Sequence, residues 1–444
     1  MKKIELTKTY VEGDTIHYQV REEKGLGLLQ KEVVDLFICY HGDEHYDCDL
    51  SKAPNSILSI PVSLYMLPIT YFFDDVELVI PEMDSVLYQQ LPAIYDAYSK
   101  IYGPFKQDWR GKLTVNKVIE NAHIESSEYD KIVFFSGGVD ACHAGISNPG
   151  KRSLLVSVPS IEREAINEGP LREQKFRLIK EFSRVVNSNW LLISNNFNST
   201  LFNEKVIYQC LSKKRVLSSH AYNYDGWGGI RYLANICSVA PYAYLAGVSE
   251  MIMGSSYEQI EDNYQVNLDG TNPDLTDSIK FAYTEFSEQD GPLTRRSQKV
   301  KNIVEWCKQH HVKTRLWACF TNGSTQCSYC VKCCRTQLNL LGVCENPKDW
   351  GFDNFSEKKF AKFIKSFKYN ESNVCWLWDI IDIIQDDKIY PYCNELLHWL
   401  KSIGYKKYHK RATEKARPTI VKRLFAFSQY PHYVKIIFSK LIGK

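Results

Sequence analysis

Short apolar runs alternate with longer amphipathic stretches along this chain from residue 131 onward. Continuous apolar runs bounded by turn-forming residues are typical of buried strands, whereas apolar residues spaced three and four apart are typical of helices. The pattern predicts strands at 131–135, 154–158, 190–194 and 251–255, and helices over 162–186 and 231–246. Strands and helices that alternate in this way predict an α/β fold with a parallel sheet.

The first 126 residues show a different pattern. Two β-rich runs, 36–40 and 76–80, flank an apolar stretch with Pro61 and Pro68, and residues 86–102 carry aromatic and leucine side chains at helical spacing. No catalytic cluster is evident there. We expect residues 1–126 to form a separate α+β module that offers a surface for a partner.

The chain from residue 346 onward predicts a helical region that ends in a basic tail. Its most apolar stretch, 374–384, contains Asp379 and Asp382 and is shorter than the roughly 20 residues of a membrane span, so we expect a core helix. Residues 401–444 contain twelve Lys and Arg against one acid, Glu414. Such a tail can be merely solvated, or it can contact nucleic acid or an acidic protein face, and its interleaved aromatics favour stacking on bases.

The candidate for chemistry is the run Ser136-Gly137-Gly138-Val139-Asp140, which directly follows the predicted strand 131–135. Two adjacent glycines let consecutive N–H groups point into one concavity, and a helix that starts there adds the positive end of its dipole. Such a loop can hold phosphate. Its spacing matches neither the P-loop NTPases nor the dinucleotide-binding fingerprint. A tight turn without chemistry is the alternative.

Cysteines near residue 330 form the second candidate. Cys319, Cys327, Cys330 and Cys333 lie in one short segment, with Cys334 beside them, in a chain that has 14 cysteines. Gaps of two residues let successive thiolates converge on one ion, and Cys319 can complete a tetrahedral shell. Four sulfurs leave no open position, so we expect a structural Zn²⁺. The alternatives are a set of free or disulfide-paired cysteines, or Cys334 as the fourth ligand in place of Cys333.

Loop and cysteines together carry a family resemblance. The loop resembles the Ser-Gly-Gly-x-Asp-Ser motif of the PP-loop ATP pyrophosphatases, although Ala141 replaces the last serine. In one branch, the 7-cyano-7-deazaguanine synthases, a late Cys-x8-Cys-x2-Cys-x2-Cys zinc site accompanies the loop, and here the first gap is one residue shorter. The run 229–231, ending in Arg231, looks like the family's Pro-Gly-Arg-Asn element, with Tyr232 at the asparagine position. Residues 270–274 look like its Tyr-Pro-Asp segment. The resemblance covers about residues 131–341.

This resemblance implies a parallel sheet of the PP-loop/HUP type, similar to the adenine nucleotide α-hydrolases. It implies catalytic roles for Ser136, Asp140 and Arg231, substrate contacts for Asp274 and Arg231, and Mg²⁺ placement by Asp140. The residues that would hold ATP are Ser136, Gly137, Gly138, Val139, Asp140, Val158, Gly254 and Ser255. The implied domains are the 1–126 module, a core over 127–345 with the Cys₄ site, and a helical region over 346–444.

The implied reaction is adenylation of the carboxylate of 7-carboxy-7-deazaguanine, followed by transfer to an amine. In its size, its N-terminal extension and the run from Cys327 to Thr336, the chain is similar to the synthase-like components of bacterial anti-phage systems, including the Qat type. There the implied amine is the N-terminus of a partner protein. Synthesis of the nitrile with ammonia is one alternative. A zinc-stabilised nucleic-acid-binding protein with an inactive core is another, which Ala141 favours.

The composition of the chain favours none of these three functions strongly. The 444 residues are 44% hydrophobic and 13% aromatic, which is enough for large cores, and the net charge of +3 predicts no partner. No apolar run follows the basic start of the chain, so a secretory signal is not expected. Numerous cysteines without an evident pairing pattern favour a reducing cytoplasm.

Overall fold

The computed structural model describes most of the chain up to residue 366, in the following ranges: 1–43, 48–102, 111–125, 128–159, 170–213, 231, 234, 236–254, 258–260, 263–265, 273–288, 294–319 and 325–366. The chain divides into two compact units. One comprises Met1–Gln326 and Asp349–Gly351, and the other comprises Cys327–Lys348 and Phe352–Lys444.

An eleven-stranded sheet dominates the first unit, with the strand order β12-β13-β9-β6-β7-β8-β3-β2-β1-β4-β5. Its strands are β1 Lys2–Glu12, β2 Thr15–Glu22, β3 Val33–Gly42, β4 Val76–Asp84, β5 Lys112–Ile119, β6 Lys131–Phe134, β7 Ser153–Ser157, β8 Asn189–Asn195, β9 Glu250–Met253, β12 Lys280–Phe281 and β13 Thr284–Glu288. Strands β10 Glu258–Ile260 and β11 Asn263–Gln265 pair separately.

The strands β13, β9, β6, β7 and β8 form a continuous parallel segment. Every residue of β7 and β8 is buried, as expected for strands covered on both faces. The chain is therefore α/β with a large, mostly parallel sheet, as the alternation of strands and helices predicts. In such sheets ligands bind beyond the carboxyl ends of the strands, which here is the edge that carries Ser136 and Gly254.

The N-terminal strands continue this same sheet. Strand β3 pairs antiparallel with β8, so that Cys39 lies opposite Ser194. Asp84 at the end of β4 is fully buried, and it accepts hydrogen bonds from the backbone nitrogens of Leu87 and Ala282, both at 2.9 Å. The boundary that the sequence suggests near residue 126 thus lies within one sheet, and residues 1–126 do not form a sheet of their own.

Helices cover the sheet and connect its strands. Those of the first unit are Asn55–Leu58, Ile60–Met66, Pro68–Phe72, Ser85–Tyr102, Val139–Ser147, Pro170–Val186, Phe197–Thr200, Glu204–Lys213, Ala240–Leu245, Pro273–Thr276 and Arg296–Gln309, with 3₁₀ turns at Leu50–Lys52 and Cys237–Val239. The second unit contains Val331–Gly342 and Glu357–Ser366, and a 3₁₀ turn spans Pro347–Trp350.

Two prolines account for the helix breaks in the apolar stretch 60–73. Pro61 and Pro68 each stand in the first turn of a helix, where the missing N–H has no intrahelical partner to lose. Both short helices are buried along their whole length. This stretch is therefore a core layer against the sheet.

None of the described helices combines the length and the apolar character that crossing a membrane requires. The predicted core helix at 374–384 and the basic tail at 401–444 lie outside the described residues.

Candidate functional site

The glycine loop has a fixed backbone conformation. It connects β6 to the nine-residue helix Val139–Ser147, and Gly137 adopts a φ of +86°, which favours glycine. The backbone nitrogen of Trp317 donates a 2.6 Å hydrogen bond to the carbonyl oxygen of Gly137. A Cβ atom on Gly137 would lie only 3.0 Å from the Cβ atom of Trp317. The turn therefore needs glycine both for its φ and for its close contact with Trp317.

The loop presents hydrogen-bond donors at the start of a helix. Gly138 precedes the helix Val139–Ser147 and makes no side-chain capping bond. The Gly138 nitrogen lies 3.4 Å from the hydroxyl oxygen of Ser136, which is an exposed residue. The first amide groups of a helix lack intrahelical acceptors, and the helix dipole adds positive potential there. The arrangement suits an anionic ligand such as a phosphate.

Strand β9 contacts the loop through glycine. Gly254 directly follows β9, and a Cβ atom at this position would lie 2.3 Å from the carbonyl oxygen of Asp140. Such a contact is far too short for any side chain. Gly254 thus lets the end of β9 approach the first turn of the helix Val139–Ser147, at the edge where the resemblance implies that ATP binds. Ser255, the next predicted contact, lies outside the described residues.

Asp140 is engaged by two cations that the sequence analysis did not single out. Its carboxylate lies 2.7 Å from an Arg296 guanidinium nitrogen and 3.4 Å from the Lys299 ammonium nitrogen. Lys299 is 99% buried, and both cations stand on the helix Arg296–Gln309, which packs against the helix Val139–Ser147. Asn302 on the same helix bonds His143 at 3.0 Å. The Asp140 carboxylate thus joins the start of the helix Val139–Ser147 to the basic face of the helix Arg296–Gln309.

Lys175 is a third cation at the loop. It stands on the helix Pro170–Val186, is buried, and donates a 3.2 Å hydrogen bond to the carbonyl oxygen of Ser136. Further along this helix, Phe182 stacks on Phe135 and lies against Gly145. The helix Pro170–Val186 therefore contacts the residue after β6, the loop and the helix that follows the loop.

The sequence pattern does not predict that these three cations lie beside the loop. Arg296 and Lys299 are three apart in a helix and so share a face, but basic residues at that spacing are usually solvated. Lys175 lies in an amphipathic helix that carries several other charges. Their location beside the loop depends on how distant segments pack.

Val158 is buried at the carboxyl end of β7, next to the buried Ser157. The family resemblance implies that backbone groups at this position hold adenine, and this role stays a prediction. Val139 is fully buried as the first residue of the helix Val139–Ser147, and its contact with ATP stays a prediction.

Arg231 contacts residues distant in sequence from the loop. It is 94% buried, its guanidinium lies 2.6 Å from a carboxylate oxygen of Glu204, and it donates to the hydroxyl of Tyr65 at 3.3 Å. The guanidinium carbon lies 5.6 Å from the ring centre of Tyr65 and 5.5 Å from that of Phe202. This is a neutralised cation between aromatic rings. Its catalytic and substrate-binding roles stay a prediction.

Asp274, the other residue predicted to bind substrate, is exposed near the start of the short helix Pro273–Thr276. Its carboxylate pairs with Lys100 at 3.4 Å. Exposed pairs of this kind contribute little to stability. The structure shows a surface ion pair here, and the substrate contact stays a prediction.

The four predicted cysteines come together. The sulfur atoms of Cys319, Cys327, Cys330 and Cys333 all lie within 4.8 Å of one another, and those of Cys327 and Cys333 are 3.9 Å apart. Zn–S bonds of about 2.3 Å in a tetrahedron place sulfurs about 3.8 Å apart. The backbone nitrogen of Cys330 also donates to the Cys327 sulfur at 3.3 Å. This cluster can hold a metal ion such as zinc.

Cys334 is outside the cluster, as the preference for Cys333 predicts. It is buried in the helix Val331–Gly342, and burial, together with the neighbouring Cys330 and Cys327, raises the pKa of its thiol to about 12.

No protein-family model, no curated protein and no solved structure matches this chain in comparisons with known proteins. A functional assignment therefore depends on the loop, its cations and the cysteine cluster.

Proposed function

We propose that this protein is an ATP-dependent ligase similar to the 7-cyano-7-deazaguanine synthases. It adenylates the carboxylate of 7-carboxy-7-deazaguanine and passes the acyl group to an amine, the N-terminus of a partner protein in an anti-phage defence system. The observation that carries the proposal is the glycine loop at the carboxyl end of β6, held in a left-handed turn at Gly137.

The surroundings of the loop support phosphate binding. The helix Val139–Ser147 starts after Gly138, which has no side chain to cap its first amide groups, and Lys175, Arg296 and Lys299 stand on the two helices beside it. Groups fixed in advance around a phosphate stabilise charge without reorganisation during reaction, which is the dominant effect in phosphoryl transfer. A solvated tight turn would have no need of buried cations.

The proposed reaction has two steps. A carboxylate oxygen of the substrate attacks the α-phosphorus of ATP, and the bond from the α-phosphorus to the bridging oxygen breaks, so that pyrophosphate leaves. The amine then attacks the acyl carbon, AMP leaves with the electron pair of the C–O bond, and the amine loses a proton. The loop amides and neighbouring cations stabilise the negative charge that grows on the departing pyrophosphate.

Asp140 is the residue that would hold Mg²⁺. Magnesium sites at nucleotides use one or two carboxylates together with phosphate oxygens and water, so a single carboxylate fits. Both of its oxygens face cations here, at 2.7 and 3.4 Å, and binding the metal would exchange those partners. The ion would supply charge neutralisation at the β- and γ-phosphates.

The cysteine cluster has a structural role in this proposal. Four thiolates complete a tetrahedral zinc shell and leave no position for substrate or water. One of the four, Cys319, lies two residues after Trp317, whose backbone nitrogen bonds the loop carbonyl oxygen.

The decisive experiment measures AMP and pyrophosphate release from ATP and Mg²⁺ with 7-carboxy-7-deazaguanine. The acceptor is either ammonium or a candidate partner protein, and the partner is then examined by intact-mass analysis. We expect AMP formation, with a mass gain on the partner that equals 7-carboxy-7-deazaguanine minus one water. Nitrile formed with ammonium alone would make the protein a plain synthase. Absence of AMP in both reactions would overturn the proposal and favour the nucleic-acid-binding alternative, whose basic tail lies outside the described residues.

A further inference from the structure

Gln174 is a buried amide without a hydrogen bond to any of the described residues. The residue is 97% buried, and both its nitrogen and its side-chain oxygen lack a partner among the described residues. Buried polar groups are almost always satisfied, because an amide that leaves water without a new partner loses free energy. A pair of unsatisfied atoms in one side chain therefore indicates a missing partner.

Gln174 stands on the helix face that follows the glycine loop. On the helix Pro170–Val186, Leu178 lies 3.4 Å from the position of a Cβ atom on Gly137, and Lys175 bonds the Ser136 carbonyl oxygen. Residues four apart in a helix share a face, so Gln174 is one turn beyond Leu178 on this face. One turn after Leu178, Phe182 on the same face lies against Gly145 of the helix Val139–Ser147. From Phe182 to Leu178 the contacts of this face pass from that helix to the loop, and Gln174 is the next residue of the face toward the start of the helix.

The two atoms of an amide specify the partner. The nitrogen donates and the oxygen accepts, so a phosphate, which only accepts at neutral pH, would satisfy the nitrogen alone. A flat ring edge with an N–H donor beside an acceptor satisfies both atoms at once, as when glutamine pairs with adenine. Adenine offers such an edge, and so does the guanine-like edge of a deazaguanine.

We infer that Gln174 is a specificity-determining residue that binds the purine-like ring of the ligand held at the glycine loop. This inference rests on the proposed function, since it takes the loop to hold a nucleotide. It adds a recognition residue for the base, which neither the loop motif nor the cysteine cluster assigns.

The test compares Gln174→Leu with wild type and with Glu173→Ala, an exposed neighbour on the same helix. Leucine has a similar volume and removes both polar atoms. Equilibrium binding would be measured for ATP with Mg²⁺, for 7-carboxy-7-deazaguanine, and for pyrophosphate, which has no ring. We expect Gln174→Leu to weaken binding of one ring-bearing ligand by about tenfold or more, the effect of a lost pair of hydrogen bonds, and to leave pyrophosphate affinity unchanged. The ligand that is weakened identifies the ring that Gln174 reads.

Melting of the ligand-free proteins provides a second readout. An unsatisfied amide is replaced by an apolar side chain, so Gln174→Leu should melt at the same temperature as wild type or higher. A lower melting temperature would mean that Gln174 has a structural partner, and it would overturn the inference. Equal weakening of pyrophosphate and ATP, or no weakening of any ligand, would also overturn it. If wild type binds neither ATP nor pyrophosphate, the proposed function itself fails, and the inference fails with it.

Discussion

The main chain of Trp317 holds Gly137 in its turn. The Trp317 nitrogen donates to the Gly137 carbonyl oxygen at 2.6 Å, and the Trp317 Cβ atom lies 3.0 Å from where a Cβ on Gly137 would be. Trp317 comes two residues before Cys319, a member of the cysteine cluster. Gly137 and Cys319, which are 182 residues apart in sequence (319 − 137), are thus linked through residues 317–319.

The two loop glycines should differ in their tolerance of a methyl group. Gly137→Ala places a side chain at a φ of +86° and close to Trp317, so we expect a loss of about 1–2 kcal/mol in the free energy of unfolding, and more if Trp317 cannot move. Gly138 has a φ of −74°, and the nearest atom to its Cβ position is 3.5 Å away, so Gly138→Ala should change stability by less than about 1 kcal/mol. Urea unfolding of both variants measures the difference. Equal stability of the two would contradict the described turn.

Asp140 should be coupled energetically to its cations. Removing one member of a buried ion pair leaves an uncompensated charge, which typically costs about 3–5 kcal/mol, whereas removing both members costs much less. We therefore expect Asp140→Asn to destabilise the protein strongly and Asp140→Asn with Arg296→Met to recover part of the loss. A double-mutant cycle in urea gives the coupling energy. Additive effects would mean that the 2.7 Å pair contributes nothing.

Lys175 should matter for ATP turnover, whereas Lys180 should not. Both stand on the helix Pro170–Val186, but Lys175 is buried at the Ser136 carbonyl and Lys180 is exposed. Loss of one fixed positive group at a phosphate typically costs about 10²-fold in rate. We expect that loss for Lys175→Met in AMP release and near wild-type rates for Lys180→Met. Similar rates of AMP release for the two variants would mean that Lys175 does not contribute to phosphate binding.

Zinc content should depend on the four cluster cysteines and should not depend on Cys334. We expect one zinc ion per chain by elemental analysis, a loss of zinc in Cys327→Ser or Cys333→Ser, and full zinc in Cys334→Ser. Removal of zinc with a chelator should lower the melting temperature, because binding of a structural metal stabilises the folded state. Zinc retained in Cys333→Ser but lost in Cys334→Ser would exchange the roles of these two residues.

Residues 1–126 should not fold as an independent domain. Their strand β3 pairs with β8, and the buried Asp84 accepts a hydrogen bond from Ala282 across the proposed boundary, besides one from Asn121 within residues 1–126. Asp84→Ala leaves three hydrogen-bond donors of Leu87, Asn121 and Ala282 without this acceptor, at about 1–3 kcal/mol for each buried one. We expect a 1–126 fragment to lack cooperative thermal unfolding by circular dichroism. A fragment that unfolds cooperatively would support a separate module.

The sequence by itself determined the parts of this protein whose physics is local. Strands β6, β7, β8 and β9 follow from apolar runs, the turn at Gly137 follows from adjacent glycines, and the convergence of Cys327, Cys330 and Cys333 follows from two-residue gaps. Each of these depends on residues close along the chain, where side-chain alternation, backbone freedom and ligand reach act directly.

Only the tertiary structure decided which distant residues meet. It joined β3 to β8 in one sheet, placed Lys175, Arg296 and Lys299 beside the loop, and paired Arg231 with Glu204. A lysine in an amphipathic helix has the same local pattern whether it faces water or a loop carbonyl. Its partner is fixed by the packing of whole helices and strands, to which many separated residues each contribute a little, and no single stretch of sequence encodes that sum.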